Sequence, residues 1–93
     1  MHFLYIIYSK SSDKFYVGET YNIKERILQH NTHQYKYAFS KIAQDWEIKL
    51  IKELRSKEDA IFLERFIKRM KSKKFILKVI DNSDILDDIL KKR

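Results

Sequence analysis

From Phe3 to Tyr8 the chain reads Phe-Leu-Tyr-Ile-Ile-Tyr without a polar break. A short β-branched and aromatic run of this kind predicts a strand. The polar stretch Ser9 to Lys14 reads as a turn, and Phe15 to Gly18 as a second strand, so the two form an antiparallel hairpin. A turn symmetric about Ser11 and Ser12 pairs Tyr5 with Gly18 and Ile7 with Tyr16. Asn22, with Glu25 following as in a capping box, opens a helix to about Asn31 that buries Ile23 and Ile27. Thr32 to Asp45 is polar with scattered aromatics (Tyr35, Tyr37, Phe39) and predicts a loop with a short helix. Trp46 to Leu54 alternates as Trp46, Ile48 and Leu50, then Ile51, which predicts a third strand. Ser56 caps a helix reaching about Lys71, with Ala60, Leu63, Ile67 and Met70 on one stripe. Phe75 to Ile80 fits a strand or a helix, and Asp84 to Leu90 a short closing helix. The order predicts an α+β fold in which a small antiparallel sheet is flanked by helices.

Composition narrows the class. The 93 residues contain no Pro and one Gly, with no repeat and no low-complexity stretch, so a single domain over residues 1–93 is expected. There is no Cys, which excludes a disulfide scaffold, a thiolate zinc site, an iron–sulfur cluster and a cysteine nucleophile. No apolar run approaches the roughly 20 residues of a membrane span. Met1 to Tyr8 lacks the basic flank and small-residue cleavage site of a signal peptide. A cytoplasmic protein without a membrane role is the expectation. Lys and Arg number 20 against 13 Asp and Glu, a net charge of +7. That balance favours a polyanionic partner, nucleic acid first and an anionic membrane surface second.

Four groups of residues could carry chemistry. Tyr5 and Tyr16 share a sheet face as diagonal neighbours in the expected register, either as core tyrosines or as part of a site. Gly18 lies on that face without a side chain, as a bulge residue or as room for a phosphate to approach. Arg26 and His30, one turn apart, share a helix face bordering Ile23 and Ile27. Arginine forks onto phosphate oxygens, and histidine exchanges a proton near neutral pH. Glu64 sits at the rim of its helix stripe, as a partner of Lys68 or as a carboxylate for a divalent metal. Arg65, Lys68, Arg69, Lys71, Lys73, Lys74 and Lys78 form a late basic cluster. Within it Arg65, Arg69 and Lys73 fall at helical spacing and could line one side for phosphate contacts.

Taken together, these residues resemble the GIY-YIG nuclease superfamily. Leu4-Tyr5-Ile6 and Tyr16-Val17-Gly18 stand where its paired signature stands. Asn22, Arg26, His30 and Asn31 match its arginine and histidine helix. Ala60, Glu64, Lys68 and the run Met70-Lys71-Ser72-Lys73-Lys74 match its acidic helix. The likeness covers Phe3 to about Ile80. It is greatest to small single-domain bacterial members similar to the N-terminal nuclease domain of the excision-repair protein UvrC.

The resemblance implies a three-stranded antiparallel sheet with helices around it, and hydrolysis of a DNA phosphodiester with one metal and no small-molecule cofactor. Glu64 would hold Mg²⁺ or Mn²⁺. Arg26 would stabilise the phosphate as charge builds on it. Tyr5, Tyr16 and His30 would orient or deprotonate the attacking water, and a tyrosine base needs a nearby cation or metal, since a free tyrosine titrates near 10. Gly18, Arg65, Lys68, Arg69, Lys71, Lys73 and Lys74 would contact the nucleic acid.

Two positions depart from the pattern. Leu4 replaces the first glycine, which should not remove activity. Glu19 stands where some members have a lysine beside the tyrosine, which shifts weight from Tyr16 to His30 as the base and leaves Glu19 without a role. With no room in these residues for a module that selects DNA, structure-selective or non-specific cutting, in repair or recombination, is the expectation. A weakly catalytic binding module, or a subunit of a larger assembly whose partner supplies targeting, is the alternative.

Overall fold

A computed structural model describes residues 1–32 and 43–93. The expected short helix between Thr32 and Asp45, and the aromatics Tyr35, Tyr37 and Phe39, fall largely or wholly outside the described residues. Three strands, β1 (His2–Ser9), β2 (Lys14–Thr20) and β3 (Trp46–Leu54), form one antiparallel sheet in the order β2-β1-β3. Helices α1 (Ile23–Asn31), α2 (Lys57–Met70), α3 (Lys73–Asp81) and α4 (Asp84–Lys91) surround it. This is the α+β fold with a three-stranded antiparallel sheet. No helix among the described residues is long and apolar enough to cross a membrane.

The unbroken apolar run at the start of the chain has a direct cause. β1 is the central strand, and Leu4, Tyr5, Ile6 and Ile7 are all fully buried. A strand covered on both faces shows no alternation in its sequence. Leu4 and Ile6 join Val17 under Leu63 and Ile67 of α2, with Val79 and Leu86 from the last two helices. Tyr5 and Ile7 join Ala43 and Trp46 on the opposite face, where Tyr16, Ile23 and Ile27 pack against them.

The hairpin has the expected register: Tyr5 pairs with Gly18 and Ile7 with Tyr16. Asp13 makes its turn at φ 52°, a left-handed conformation that Asp tolerates better than most residues. The Ser9 and Ser11 hydroxyls donate to Asp45 Oδ1 at 2.6 and 2.9 Å, tying the turn to the start of β3.

β3 departs from simple alternation. Ile6 pairs with Leu50 and Ile7 with Ile48, so Lys49 is the extra residue of a bulge. The inserted residue inverts the parity of the strand. Trp46 therefore packs on the face of Tyr5, while Leu50 packs with Leu4 and Ile6. The Leu50-Ile51 pair, where alternation fails in the sequence, is the trace of that bulge.

The ambiguous segment Phe75 to Ile80 is helical. The Ser72 side chain accepts from the Phe75 amide at 3.0 Å, capping α3 at its first turn. Phe75, Ile76, Val79 and Ile80 then lie on one face against the α2 and α4 core. This cap also corrects the expected basic stripe. α2 ends at Met70, Lys71 turns left-handed at φ 48°, and Lys73 begins a new helix. Arg65, Arg69 and Lys73 therefore do not form one continuous helical row.

Candidate active site

Tyr5 projects from the central strand toward α1, with Gly18 opposite it on β2. A Cβ at Gly18 would fall within 3.0 Å of three atoms of the Tyr5 side chain. The space that the glycine leaves is thus filled by the Tyr5 ring, and Gly18 itself is buried. The expected opening for a phosphate at Gly18 is not present; the glycine is there to let the tyrosine lie flat across the strand.

Around that ring the predicted residues converge. The Tyr5 and Tyr16 ring centroids are 6.3 Å apart, Tyr16 and His30 4.9 Å, and Tyr5 and His30 5.9 Å. Tyr5 Oη lies 2.8 Å from His30 Nε2 in a buried hydrogen bond. His30 sits in the last turn of α1, 1% exposed. Asn31 beside it fixes that end of the helix: its amide donates to the Trp46 carbonyl at 3.2 Å, and its Oδ1 accepts from the Trp46 amide at 2.7 Å. This structural task of Asn31 is not among the expectations from sequence. A terminal helix asparagine facing a strand start is the signal that could have found it. Arg26 lies half-buried one turn before His30.

Burial, with the nearby Arg26 charge adding to it, lowers the His30 pKa to about 4. His30 is therefore neutral at pH 7. Nε2 either accepts the Tyr5 hydroxyl proton or donates its own to the Tyr5 oxygen, according to the tautomer. This carries a stability consequence. The unfolded chain takes up the proton near the ordinary value of 6.5, whereas the folded chain resists until about 4. The contribution is therefore complete above pH 6.5 and is lost as the pH falls to 4, by roughly 3 kcal/mol. The melting temperature of the wild type should fall more steeply from pH 7 to pH 4 than that of His30→Gln. Parallel pH profiles would contradict it.

Glu64 lies half-buried on α2. Burial raises its pKa, with the Glu19 charge adding to the effect and Lys68 opposing it. Lys68 Nζ is 3.6 Å from Glu64 Oε1 and 5.3 Å from the centre of the Tyr16 ring. One lysine of α2 thus reaches both the Glu64 carboxylate and the Tyr16 ring of β2, an edge strand of the sheet. It also supplies a cation beside the Tyr16 phenol. Glu19 faces the other way from Tyr16 on the strand and is hydrogen-bonded to the His2 ring, a partner that period-two alternation could have suggested.

Among the described residues no group of three or more His, Asp or Glu is arranged to hold a metal ion. Mg²⁺ does not need such a cage: one or two carboxylates suffice, with waters and substrate oxygens completing the shell. A half-buried carboxylate next to a second negative charge fits that role, because a cation there relieves both the desolvation and the repulsion.

Of the basic residues, Lys71 and Lys73 line a cleft of about 530 Å³ with Lys68 and Tyr16. Arg65, Arg69 and Lys74 are exposed on α2 and α3, and none of them lines that cleft.

Tyr5, Tyr16 and His30 thus cluster on one face of the sheet, with Arg26 one helical turn from His30 and Lys68 linking Tyr16 to Glu64. The family model of the GIY-YIG catalytic domain matches residues 1–76. The chain belongs to that family, and a nuclease-type function follows in general terms. No curated protein and no solved structure matches it.

Proposed function

We propose that this chain is a metal-dependent endonuclease that hydrolyses DNA phosphodiester bonds at the β2 edge. The observation that carries the proposal is the convergence of Tyr5, Tyr16 and His30, joined through Lys68 to Glu64. Tyr16 is half-buried and lines the cleft, whereas Tyr5 and His30 are buried. Tyr16 is accordingly the member of the trio that meets the attacking water: its phenolate takes the water proton and becomes the neutral phenol. The Lys68 charge beside the ring favours the phenolate that this transfer requires. Tyr5 and His30 hold one another and fix the floor beneath Tyr16. Arg26 donates its fork to the phosphate as charge builds there. Glu64 would hold Mg²⁺ or Mn²⁺, which when bound offsets charge on the phosphate and the leaving oxygen.

The basic residues around the cleft suit backbone contacts that do not read sequence. Structure-selective or non-specific cutting, of the kind used in repair or recombination, fits this surface. Purified protein should cut supercoiled plasmid, flap DNA or a four-way junction in Mg²⁺ or Mn²⁺ and stop in EDTA. Failure to cut any of them in either metal, with DNA binding intact, would replace the nuclease by a binding module.

A further inference from the structure

Three aromatic rings at the turn end of the sheet each carry a lysine ammonium over them. Lys68 stands 5.3 Å from the Tyr16 ring centre, Lys73 5.9 Å from that of Phe15, and Lys49 5.9 Å from that of Tyr8. Tyr8 and Phe15 stand side by side as a tilted pair, with centroids 4.7 Å and planes 44° apart. The cleft of about 530 Å³ runs from Tyr16 to Phe15 over a floor of Val17, Ile67 and Ile76. A second, of about 370 Å³, shares Phe15 and Lys73 with it and continues to Tyr8 and Lys49. Both fall in the size range of ligand sites, about 300–1,000 Å³. The three lysine side chains are 48%, 56% and 41% exposed, so their stems can swing from a ring to a bound group.

Aromatic faces interleaved with mobile cations suit a single strand: bases stack on the rings while ammonium groups take the phosphates. A duplex keeps its bases stacked inside and has no use for the rings. We propose that these two clefts are a track for an unpaired DNA strand leading away from the scissile phosphate, with Tyr16 at its catalytic end and the tilted Phe15–Tyr8 pair beyond. The proposal rests on the nuclease reading for its substrate class. Asp13 lies along the track and ion-pairs with Lys73 at 3.3 Å, while also accepting from the Tyr8 hydroxyl at 2.5 Å. An arriving phosphate would displace the Lys73 contact, and the Tyr8 bond would keep that ring in place.

The test is fluorescence anisotropy of labelled dT12 and of a duplex of equal length, in EDTA so that no cutting occurs. The wild type should prefer dT12. Phe15→Leu keeps the apolar packing and removes the stacking face, and should weaken dT12 binding about tenfold while leaving duplex binding nearly unchanged. Lys73→Gln should reduce the slope of log affinity against log salt by about 0.7 for dT12. Lys57→Gln, about three turns up α2 from Lys68, should leave the preference for dT12 intact. Should Phe15→Leu fail to fold by circular dichroism, Lys73→Gln and Lys49→Gln decide through the salt slope.

No preference for dT12 in the wild type, or dT12 binding unchanged in the folded variants, overturns the track even if plasmid is cut. Ring-dependent dT12 binding without cutting of any substrate supports the track and removes the nuclease reading instead.

Discussion

Glu64→Gln should lower the rate of DNA cleavage at least about 100-fold in Mg²⁺ while DNA binding stays within a few-fold of wild type. Glutamine keeps the size of the side chain and removes its charge. The carboxylate lies half-buried, pushed toward the protonated form by burial and by Glu19 and held back by Lys68. A neutral amide there relieves that strain, so the variant should fold at least as well as the wild type. What it loses is the anionic oxygen that would hold the metal, and removing one such stabiliser of transition-state charge costs about 10²–10³ in rate. The Glu64–Lys68 contact is a single i,i+4 helix pair at 3.6 Å, and such pairs contribute only about a few tenths of a kcal/mol, so its loss cannot imitate this result. Cleavage assays beside anisotropy binding in the same buffer separate the two effects. A variant that cuts at the wild-type rate would remove Glu64 from the chemistry.

Gly18→Ala should be the most damaging single methyl in the protein. The new Cβ would meet the Tyr5 ring inside 3.0 Å at three atoms. Tyr5 cannot yield, since it is fully buried on the central strand and hydrogen-bonded to His30. Overpacking of this kind costs about 1–3 kcal/mol, which in a domain of this size lowers the melting temperature by about 10 °C. The backbone at Gly18 does not take a positive φ, so the cost is steric and not conformational. Gly18→Ala,Tyr5→Phe should recover little stability, because two of the clashing atoms, Cζ and Cε1, remain in phenylalanine. Gly18→Ala,Tyr5→Leu, with a smaller side chain, should recover most of it without activity. Thermal melts of the single and double variants check this; a Gly18→Ala protein as stable as wild type would contradict the packing described here.

Much of this site was legible in the sequence because its spacing is local. The hairpin register follows from a turn centred on Ser11 and Ser12, and it alone sets Tyr5 against Gly18 and Tyr16 beside them. Arg26 and His30 follow from one turn of a well-capped helix, where the Asn22 side chain accepts from the Glu25 amide. The long-range facts were less accessible. Nothing local distinguishes a glycine that admits a phosphate from one that admits a tyrosine ring; only the buried Tyr5 side chain decides it. The Phe75 to Ile80 segment carries β-branched residues, yet the Ser72 cap and the core between α2 and α4 make it a helix, as tertiary packing overrides propensity. The same cap breaks the basic stripe after Lys71 and sends Lys73 to Phe15 and Asp13. The bulge at Lys49, which gives Tyr8 its cation, shows in the sequence only as a lapse in alternation.

In the proposed mechanism the tyrosine face of the sheet and the α2 carboxylate act as one cutting site. Single-turnover cleavage of plasmid in Mg²⁺, with protein in excess, tests it in four proteins: wild type, Tyr16→Phe, Glu64→Gln and the double variant. Residues that work as a unit lose their effects together and not in sequence. The expected result is cutting by the wild type, a large loss in each single variant, and a double variant no slower than Glu64→Gln alone. Wild-type rates in Glu64→Gln, or losses that multiply in the double variant, would contradict a single site at the β2 edge.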